Sequence, residues 1–469
     1  VSAEATPHFR REARFMASVQ VAAVATFLVA IALVVTRVIN SVVAALLGVV
    51  AMVLAGVMSD LQAFGFIDWN VIAILVSVWI IATYFGKTGI PEFLAAKVLA
   101  FSRGNVAVFV TLLGTLSGFI SMFVDNVVVV LMMAPVLFHI ARQFKFKTFG
   151  PLLFVGLCAN FMGTALLLGD LPPQMLHSVS GIEFGGFVWH SGRPSSFIIL
   201  TITYLIVVAI FYRRFRRQYA GRAEAAATAD VGALPVSEST SEETESQPMD
   251  KRFGLLVCGA FAGTIVLMSL RHLTGYRLGF LALVGAVALM LMLEVLRKLW
   301  HLNVPSLEEL LAELQWDAIF FYAALFALVG GLEHAGIIKA IADALVPYLH
   351  QSLLLGTTLL YWVTAPIVGI VEHDAYILTM LYVIRDLAAT TQLNPWPLYW
   401  ALLWAGTLGS NLTVAGAPAL FVAVNMAEKE DGRKVDFKEF LGWSGPFVLS
   451  SLAICFVLAV VVWVLPFAK

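Results

Sequence analysis

The sequence predicts an all-α integral membrane protein with about 10–12 transmembrane helices. Three observations carry that expectation. Of its 469 residues, 60% are hydrophobic and only 13% are charged, with a mean hydropathy of +0.91. A soluble domain carries roughly a quarter charged residues, so lipid has to be the solvent of this surface. Apolar runs near the roughly 20-residue spanning length recur along the whole chain. The runs are too long and too uniform for the alternating segments of a β-barrel, which leaves helices to satisfy the backbone in lipid.

In order, the runs are 16–36, 39–58, 70–85, 106–124, 126–141, 149–169 and 197–212, then 253–270, 276–296, 317–332, 352–371, 375–384, 397–409, 413–426 and 444–467. Several are too short or too interrupted to count as whole spans. Arg10, Arg11 and Arg14 precede the first run, and Arg213, Arg214, Arg216 and Arg217 follow the 197–212 run. The positive-inside rule places both clusters on the cytoplasmic side. No small-residue cleavage site follows the first run, which reads as a retained segment. Net charge is −1 and pI about 6.8, which gives no case for nucleic-acid binding. Cys158, Cys258 and Cys455 all lie in apolar runs and read as small buried hydrophobes, with no CxxC spacing for a metal.

Residues 213–252 open basic and turn Ala-rich, then Ser/Thr/Glu-rich. That composition has no core to bury and reads as a flexible, cytoplasmic linker. It separates a first repeat, 39–212, from a second, 253–469, with residues 1–38 as an N-terminal segment and extra span. The halves echo each other. "FIDWNVIAILVSVWIIATYFGKTGIPEFLAAKVL" (66–99) sits beside "LQWDAIFFYAALFALVGGLEHAGIIKAIADALV" (314–346), each opening a span at a Trp and ending it at Gly89 or Gly336. "FVDNVVVVLMMAPV" (123–136) falls opposite "IVEHDAYILTMLYV" (370–383), which sets Asp125–Asn126 against Glu372–His373. "ANFMGTALLLGDLPPQM" (159–175) falls opposite the segment from Gly409 to Phe440. Repeats interrupted by polar or Gly/Pro breaks at matching places point to a secondary transporter with its site at the repeat interface.

Each half holds an acid beside a polar residue inside an apolar run, and an Asn followed by Gly-rich sequence. Gly163, Gly169, Gly409 and Gly416 weaken a helix, and Pro172, Pro173 and Pro418 interrupt its hydrogen bonds. Unwound backbone at membrane depth is tolerated where it lines a cavity or is buried in protein. Asn160, Thr164, Ser410, Asn411 and Thr413 supply neutral ligands suited to a small ion or oxyacid. Asp125 and Glu372 add titratable charge and so can exchange a proton for a substrate, with His373 as a relay near neutral pH.

Plainer readings stand beside these. Asp125–Asn126 suit the capping of a half-helix beginning at Val127. Glu372–His373 suit a buried structural ion pair, the Gly-rich segments suit close helix packing, and Asp170 suits a solvated loop end. His139, His177, His190 and His334 fall near the ends of runs and read as interfacial. "FGKTG" (85–89) lacks the earlier Gly of a phosphate loop, and no HExxH or GxSxG occurs, so the chain does not read as an enzyme.

These residues resemble the ion transporter superfamily, in the branch of ArsB-type arsenite pumps, NhaD-type sodium/proton antiporters, the melanosomal P protein and citrate transporter-like permeases. Four stretches carry the resemblance: "FIDWNVIAILVSVWIIATYFGKTGIPEFLA", "FVDNVVVVLMMAPV", "LLLGDLPPQM" and "GSNLTVAGAPALFVAVNMAEK…VDFKEF". It spans roughly 65–445. It implies two inverted repeats with re-entrant hairpins and broken helices. Asp125 and Asn126 match the family's Asp-Asn before the half-helix, and Asn160 and Asn411 match its two Asn motifs. Glu372–His373 stand where related members often repeat Asp-Asn, and Leu171 interrupts the usual Gly-Asp-Pro-Pro.

The expected function is therefore alternating-access transport, with proton-coupled efflux of a small inorganic species such as arsenite or antimonite placed first. Sodium/proton antiport comes next, then di- or tricarboxylate transport, for which no Arg stands at the motifs. An uncoupled channel of the same fold is the alternative of another class. The expected ion and substrate site is Asp125, Asn126, Asn160, Thr164, Gly169, Ser410, Asn411, Thr413 and Gly416, with Asp125, Glu372 and His373 for proton coupling. No metal or cofactor is expected beyond H⁺ or Na⁺ as coupling ion. The expected partners are the lipid bilayer and a small inorganic ion or oxyanion. The resemblance is compatible with a homodimer and, for an ArsB-type member, with an ATPase subunit. A bacterial inner (cell) membrane is the expected location.

Overall fold

The computed structural model describes residues 7–36, 38–219, 251–300, 306–314, 316–341, 343, 352–369, 373–414 and 416–467. Glu372 lies outside the described residues, as does most of the polar linker.

The first half runs α1 (Pro7–Thr36), α2 (Ser41–Leu54), α3 (Asp60–Phe66), α4 (Trp69–Gly86), α5 (Ile90–Ser102), α6 (Val106–Ser121), α7 (Asn126–Phe144), α8 (Phe149–Gly163), α9 (Leu171–Ser180) and α10 (Ser196–Gln218). The second runs α11 (Lys251–Ser269), α12 (Arg271–Thr274), α13 (Leu278–Trp300), α14 (Leu307–Glu313), α15 (Trp316–His334), α16 (Leu353–Val368), α17 (His373–Thr391), α18 (Trp396–Ser410), α19 (Pro418–Asp431) and α20 (Phe437–Ala459). Helix α10 carries the arginine cluster to Gln218, so the expected linker begins in helix rather than at Arg213.

Seven helices among the described residues are long and apolar enough to cross a membrane, α4, α7, α10, α15 and most of α11, α13 and α20 with its continuation. Shorter apolar helices, among them α6, α8 and α16, take up further runs, and α17, α18 and α19 carry those at 375–384, 397–409 and most of 413–426. The difference from whole spans has a local cause: helices stop at Gly163 and Ser410 and restart at Leu171 and Pro418.

Elements recur at one spacing. Asn160 and Thr407 lie 247 residues apart, and the same shift carries the starts of α3, α4, α6, α7 and α9 onto those of α14, α15, α16, α17 and α19. Local signals recur with them. Ser59 and Gln62 form a capping box at α3, as Ser306 and Glu309 do at α14. Gly89 and Gly336 both turn the chain at positive φ, +71° and +76°, a conformation that favours glycine.

Packing crosses between the halves. Helix α6 lies along α8 and α16 along α18, while α7 packs on α19 and α17 on α9. Helices α8 and α18 are buried over almost their whole length, and the core is built around them. A hairpin, Trp189–His190 paired with Arg193–Pro194, closes the α9–α10 connection. Trp463 Nε1 donates to Pro194 O at 2.9 Å and Arg193 Nη1 to Val462 O at 3.1 Å, which pins that hairpin to the C-terminal helix.

Candidate functional site

Four helices begin around one point. Asp125 is the N-cap of α7, its carboxylate accepting from Val127 N at 2.9 Å and Val128 N at 3.2 Å. Asp170 caps α9, accepting from Leu171 N at 2.9 Å. Both acids answer the unpaired N–H groups and positive end of a helix start, which suits a carboxylate at membrane depth. Helix α17 starts at His373, and α19 at Pro418, a residue with no N–H to leave unpaired there.

The chain turns tightly before α9 and α19. A Cβ on Gly169 would lie 2.2 Å from Ser121 O and 2.5 Å from Gly163 O. One on Gly416 would lie 2.1 Å from Ser410 O. Only glycine lets the chain fold back this closely on the helix it has just left.

A buried hydrogen-bond hub joins the two breaks. Asn126 Nδ2 donates to Asn160 Oδ1 at 2.9 Å and to Asp170 Oδ2 at 3.4 Å. Asn160 Nδ2 donates to Ser410 Oγ at 3.0 Å and Asn411 Oδ1 at 3.1 Å. The Thr164 and Thr407 hydroxyls are 2.6 Å apart. Thr413 Oγ1 donates to Gly369 O at 2.6 Å and so ties the second break to the end of α16. Asn160, Thr164, Ser410 and Asn411 are fully buried.

Beside this hub opens a cavity of about 670 Å³. Asp125, Asn126, Asp170, Asp317, His373 and Asp374 line it, and no Lys or Arg does among the described residues. Its wall also includes Asn40 and Ser41 from the α1–α2 turn, Tyr322 of α15, and Gly416 and Pro418. His373 Nε2 lies 3.3 Å from Asp374 Oδ1, and both side chains are buried.

The expected residues thus divide by place. Asp125, Asn126, His373 and Gly416 line the cavity; Asn160, Thr164, Ser410, Asn411 and Thr413 belong to the hydrogen-bonded hub beside it; Gly169 sits at the tight turn of the first break. Asp170 is not at a solvated loop end: it caps α9 and faces the cavity, because α9 starts inside the protein. His177 is not interfacial either. It is 5% exposed, with Nδ1 2.5 Å from Ile182 O and Nε2 3.4 Å from Asn70 Nδ2.

Asn160 and Asn411 are not equivalent positions. Counted back from the last residue of each helix, Asn160 matches Thr407 and Thr164 matches Asn411. Sequence reasoning passed over Asp317, Asp374 and Thr407. Asp374 follows His373 directly and Asp317 follows Trp316, so each stood beside a signal already read. Thr407 is visible only once the repeat register is known.

Comparison with known proteins agrees with this architecture. The family model described as "Citrate transporter" matches residues 31–405. An uncharacterized transporter of Mycobacterium tuberculosis is 30% identical over 431 residues, covering 90% of this chain and 93% of that protein. The P protein of Homo sapiens is 24% identical over 498 residues, covering 91% of this chain and 58% of that protein. Among solved structures, the Alcanivorax borkumensis YdaH transporter superposes with a TM-score of 0.57 at 13% identity, over 95% of this chain and 98% of that one. With all-α architecture, broken helices meeting at a buried polar cavity, and a family match over most of its length, the chain belongs to the citrate transporter family of multi-pass membrane transporters.

Proposed function

We propose that this protein is a proton-coupled secondary transporter that carries a small neutral or cationic solute by alternating access. One observation supports the reading above others: four aspartates and a histidine line the cavity, with no Lys or Arg among the described residues. Such a surface attracts protons and cations and repels free anions. Asp125, Asp170 and Asp374 are the groups that would exchange protons with solute, and His373, beside Asp374, would relay them.

The matched spacing of α3–α9 and α14–α19 supports two repeats meeting at this cavity. Alternating access then follows from rocking or sliding of one set of helices against the other around a fixed site. Undissociated arsenite or antimonite suits the cavity, since an uncharged trihydroxide donates hydrogen bonds to carboxylates. Sodium/proton antiport suits it equally on charge. The mycobacterial relatives support a bacterial cell membrane as the location.

The family description favours a second reading, a citrate carrier. With this lining, a citrate trianion would enter only together with a cation that offsets its charge.

Proteoliposomes with an imposed proton gradient test these readings, with sodium, lithium, arsenite, antimonite, and citrate with and without Mg²⁺ as solutes. Arsenite accumulation driven by the gradient, lost in Asp125→Asn, is the expected result. Asn also caps helices, so this variant removes the titratable group while keeping the α7 start. Downhill flux in Asp125→Asn equal to wild type, with no coupling in either, would make the protein a channel.

A further inference from the structure

Helix α10 changes character along one face. Ile202, Leu205, Ile206, Ala209 and Ile210 are exposed, while Tyr204, Val208 and Phe211 on the opposite side are buried. At 3.6 residues per turn the exposed set forms a single stripe, and a helix this long and apolar presents such a stripe to acyl chains. Arg213, Arg216 and Arg217 continue the same stripe into the last turns, and all three are exposed. Arg214 turns away from it: its guanidinium carbon lies 4.0 Å from the centre of the Trp443 ring, and Nη1 donates to Gly442 O at 2.9 Å.

The α7–α8 turn adds two more cations. Phe146 is buried against Tyr219, ring centroids 5.6 Å apart, just past the end of α10. Lys145 and Lys147 flank that anchored ring, and both are exposed. None of these five cations forms an ion pair among the described residues. The acids of the nearby α19–α20 turn are engaged elsewhere. Glu430 holds Arg142 at 2.6 Å, Asp431 accepts from Thr148 N at 3.0 Å, and Glu428 accepts from Val435 N at 2.7 Å. Glu439 takes both Nη atoms of Arg433 at 2.7 Å, and Asp436 faces that same arginine. What remains is uncompensated positive charge at the end of an acyl-facing stripe.

We propose that this face binds a phospholipid with an anionic headgroup. Arg213, Arg216, Arg217, Lys145 and Lys147 take the phosphate, and an acyl chain lies along the stripe from Ile202 to Ile210. Charge complementarity selects the headgroup: guanidinium forks match phosphate oxygens, and clusters of roughly four to eight basic residues beside a span draw anionic lipid. The stripe selects lipid over a free anion, since one helix face meets both chain and headgroup. A lipid held here bridges the α7–α8 turn to the end of α10. Helices α7 and α8 carry Asn126 and Asn160 of the buried hub, so occupancy bears on the stability of the whole. The proposal stands whichever solute is carried.

The test is thermal unfolding of the purified full chain in detergent, titrated with phosphatidylglycerol, phosphatidylcholine, glycerol phosphate or inorganic phosphate, with native mass spectrometry counting the lipid retained. Phosphatidylglycerol is expected to raise the midpoint saturably where the other three do not. The combined variant Arg213→Gln, Arg216→Gln and Arg217→Gln should weaken that titration by about tenfold or more. Lys298→Gln, at an exposed cation of α13 paired with Glu294, should leave it as in wild type. Should the triple variant not fold, Lys145→Gln with Lys147→Gln decides the matter by the same titration. An equal shift from phosphatidylcholine would reduce the face to ordinary acyl solvation, and an equal shift from phosphate would make it a free-anion site. Either overturns the proposal, as does an unchanged titration in the variants. A lipid-independent dimer lost in the triple variant would assign the face to a second copy and overturn it too.

Discussion

Asn160 Nδ2 lies 3.1 Å from Asn411 Oδ1, and at the matching positions with the halves exchanged the Thr407 and Thr164 hydroxyls lie 2.6 Å apart. One diagonal of the crossing is Asn to Asn and the other Thr to Thr. Both are neutral, so the two halves are joined at full burial without an ionic desolvation penalty.

The diagonals should differ in weight. Thr164→Val and Thr407→Val each remove a single interhelical bond, costing about 0.6 kcal/mol and at most about 1.7 kcal/mol. The double variant should cost little more than either single one, because the first change already breaks the bond. Asn160→Leu instead strips Asn411 Oδ1 of its donor, leaves Asn126 Nδ2 only its longer bond to Asp170 Oδ2, and should cost about 1–3 kcal/mol or more. Unfolding midpoints of the four variants in detergent check the order.

Glycine substitutions should separate by position. Gly169→Ala and Gly416→Ala drive a methyl against backbone oxygens at 2.2 Å and 2.1 Å. Each should destabilise by about 1–3 kcal/mol or more and abolish transport. Gly259→Ala, with nothing within 4 Å of the added carbon, should stay within about 0.5 kcal/mol of wild type. Thermal unfolding and flux measured side by side distinguish the two sets.

Asp374→Asn should leave the protein folded and remove the pH dependence of transport, if the buried His373–Asp374 pair takes part in coupling. Flux measured from pH 5.5 to 8.5 should be steep in wild type and flat in the variant. A wild-type profile in Asp374→Asn would confine coupling to Asp125 and Asp170.

His190 lies outside the spans, packed on Trp396 with ring centroids 3.9 Å apart, and burial lowers its pKa from the usual 6.5. A lowered folded-state value means the unfolded chain takes up the proton first. Stability is therefore full above about pH 6.5 and falls as the pH drops through the folded value. The midpoint of wild type should decline between pH 7 and 5 more than that of His190→Gln.

The exposed pair of Arg142 with Glu430, 2.6 Å from Nε to Oε1, joins α7 to α19 at their far ends. Arg142 is 59% exposed there, so Arg142→Ala should cost no more than about 1 kcal/mol and that only at low salt. Salt titration of the midpoint in both proteins checks it.

The sequence by itself determined the membrane class, the helix breaks and the acid at the start of α7. These are set by hydropathy and by chemistry within a few residues: Gly and Pro stop helices, Asp caps them, and lipid forbids unpaired backbone. That Asn126 and His373 each stand at a break in an apolar run was also legible, and each starts a helix, α7 and α17, 247 residues apart. Only the tertiary structure decided which polar residues share the cavity. Helix α7 packs on α19 and α17 on α9, so Asp125, Asp170, Asp317 and Asp374 meet from segments distant in the chain, and the pattern of any one helix carries no record of its partner. Asn160 and Asn411 looked alike as motifs, yet their register differs by one helical turn, and that turn is what lets each reach the other across the break.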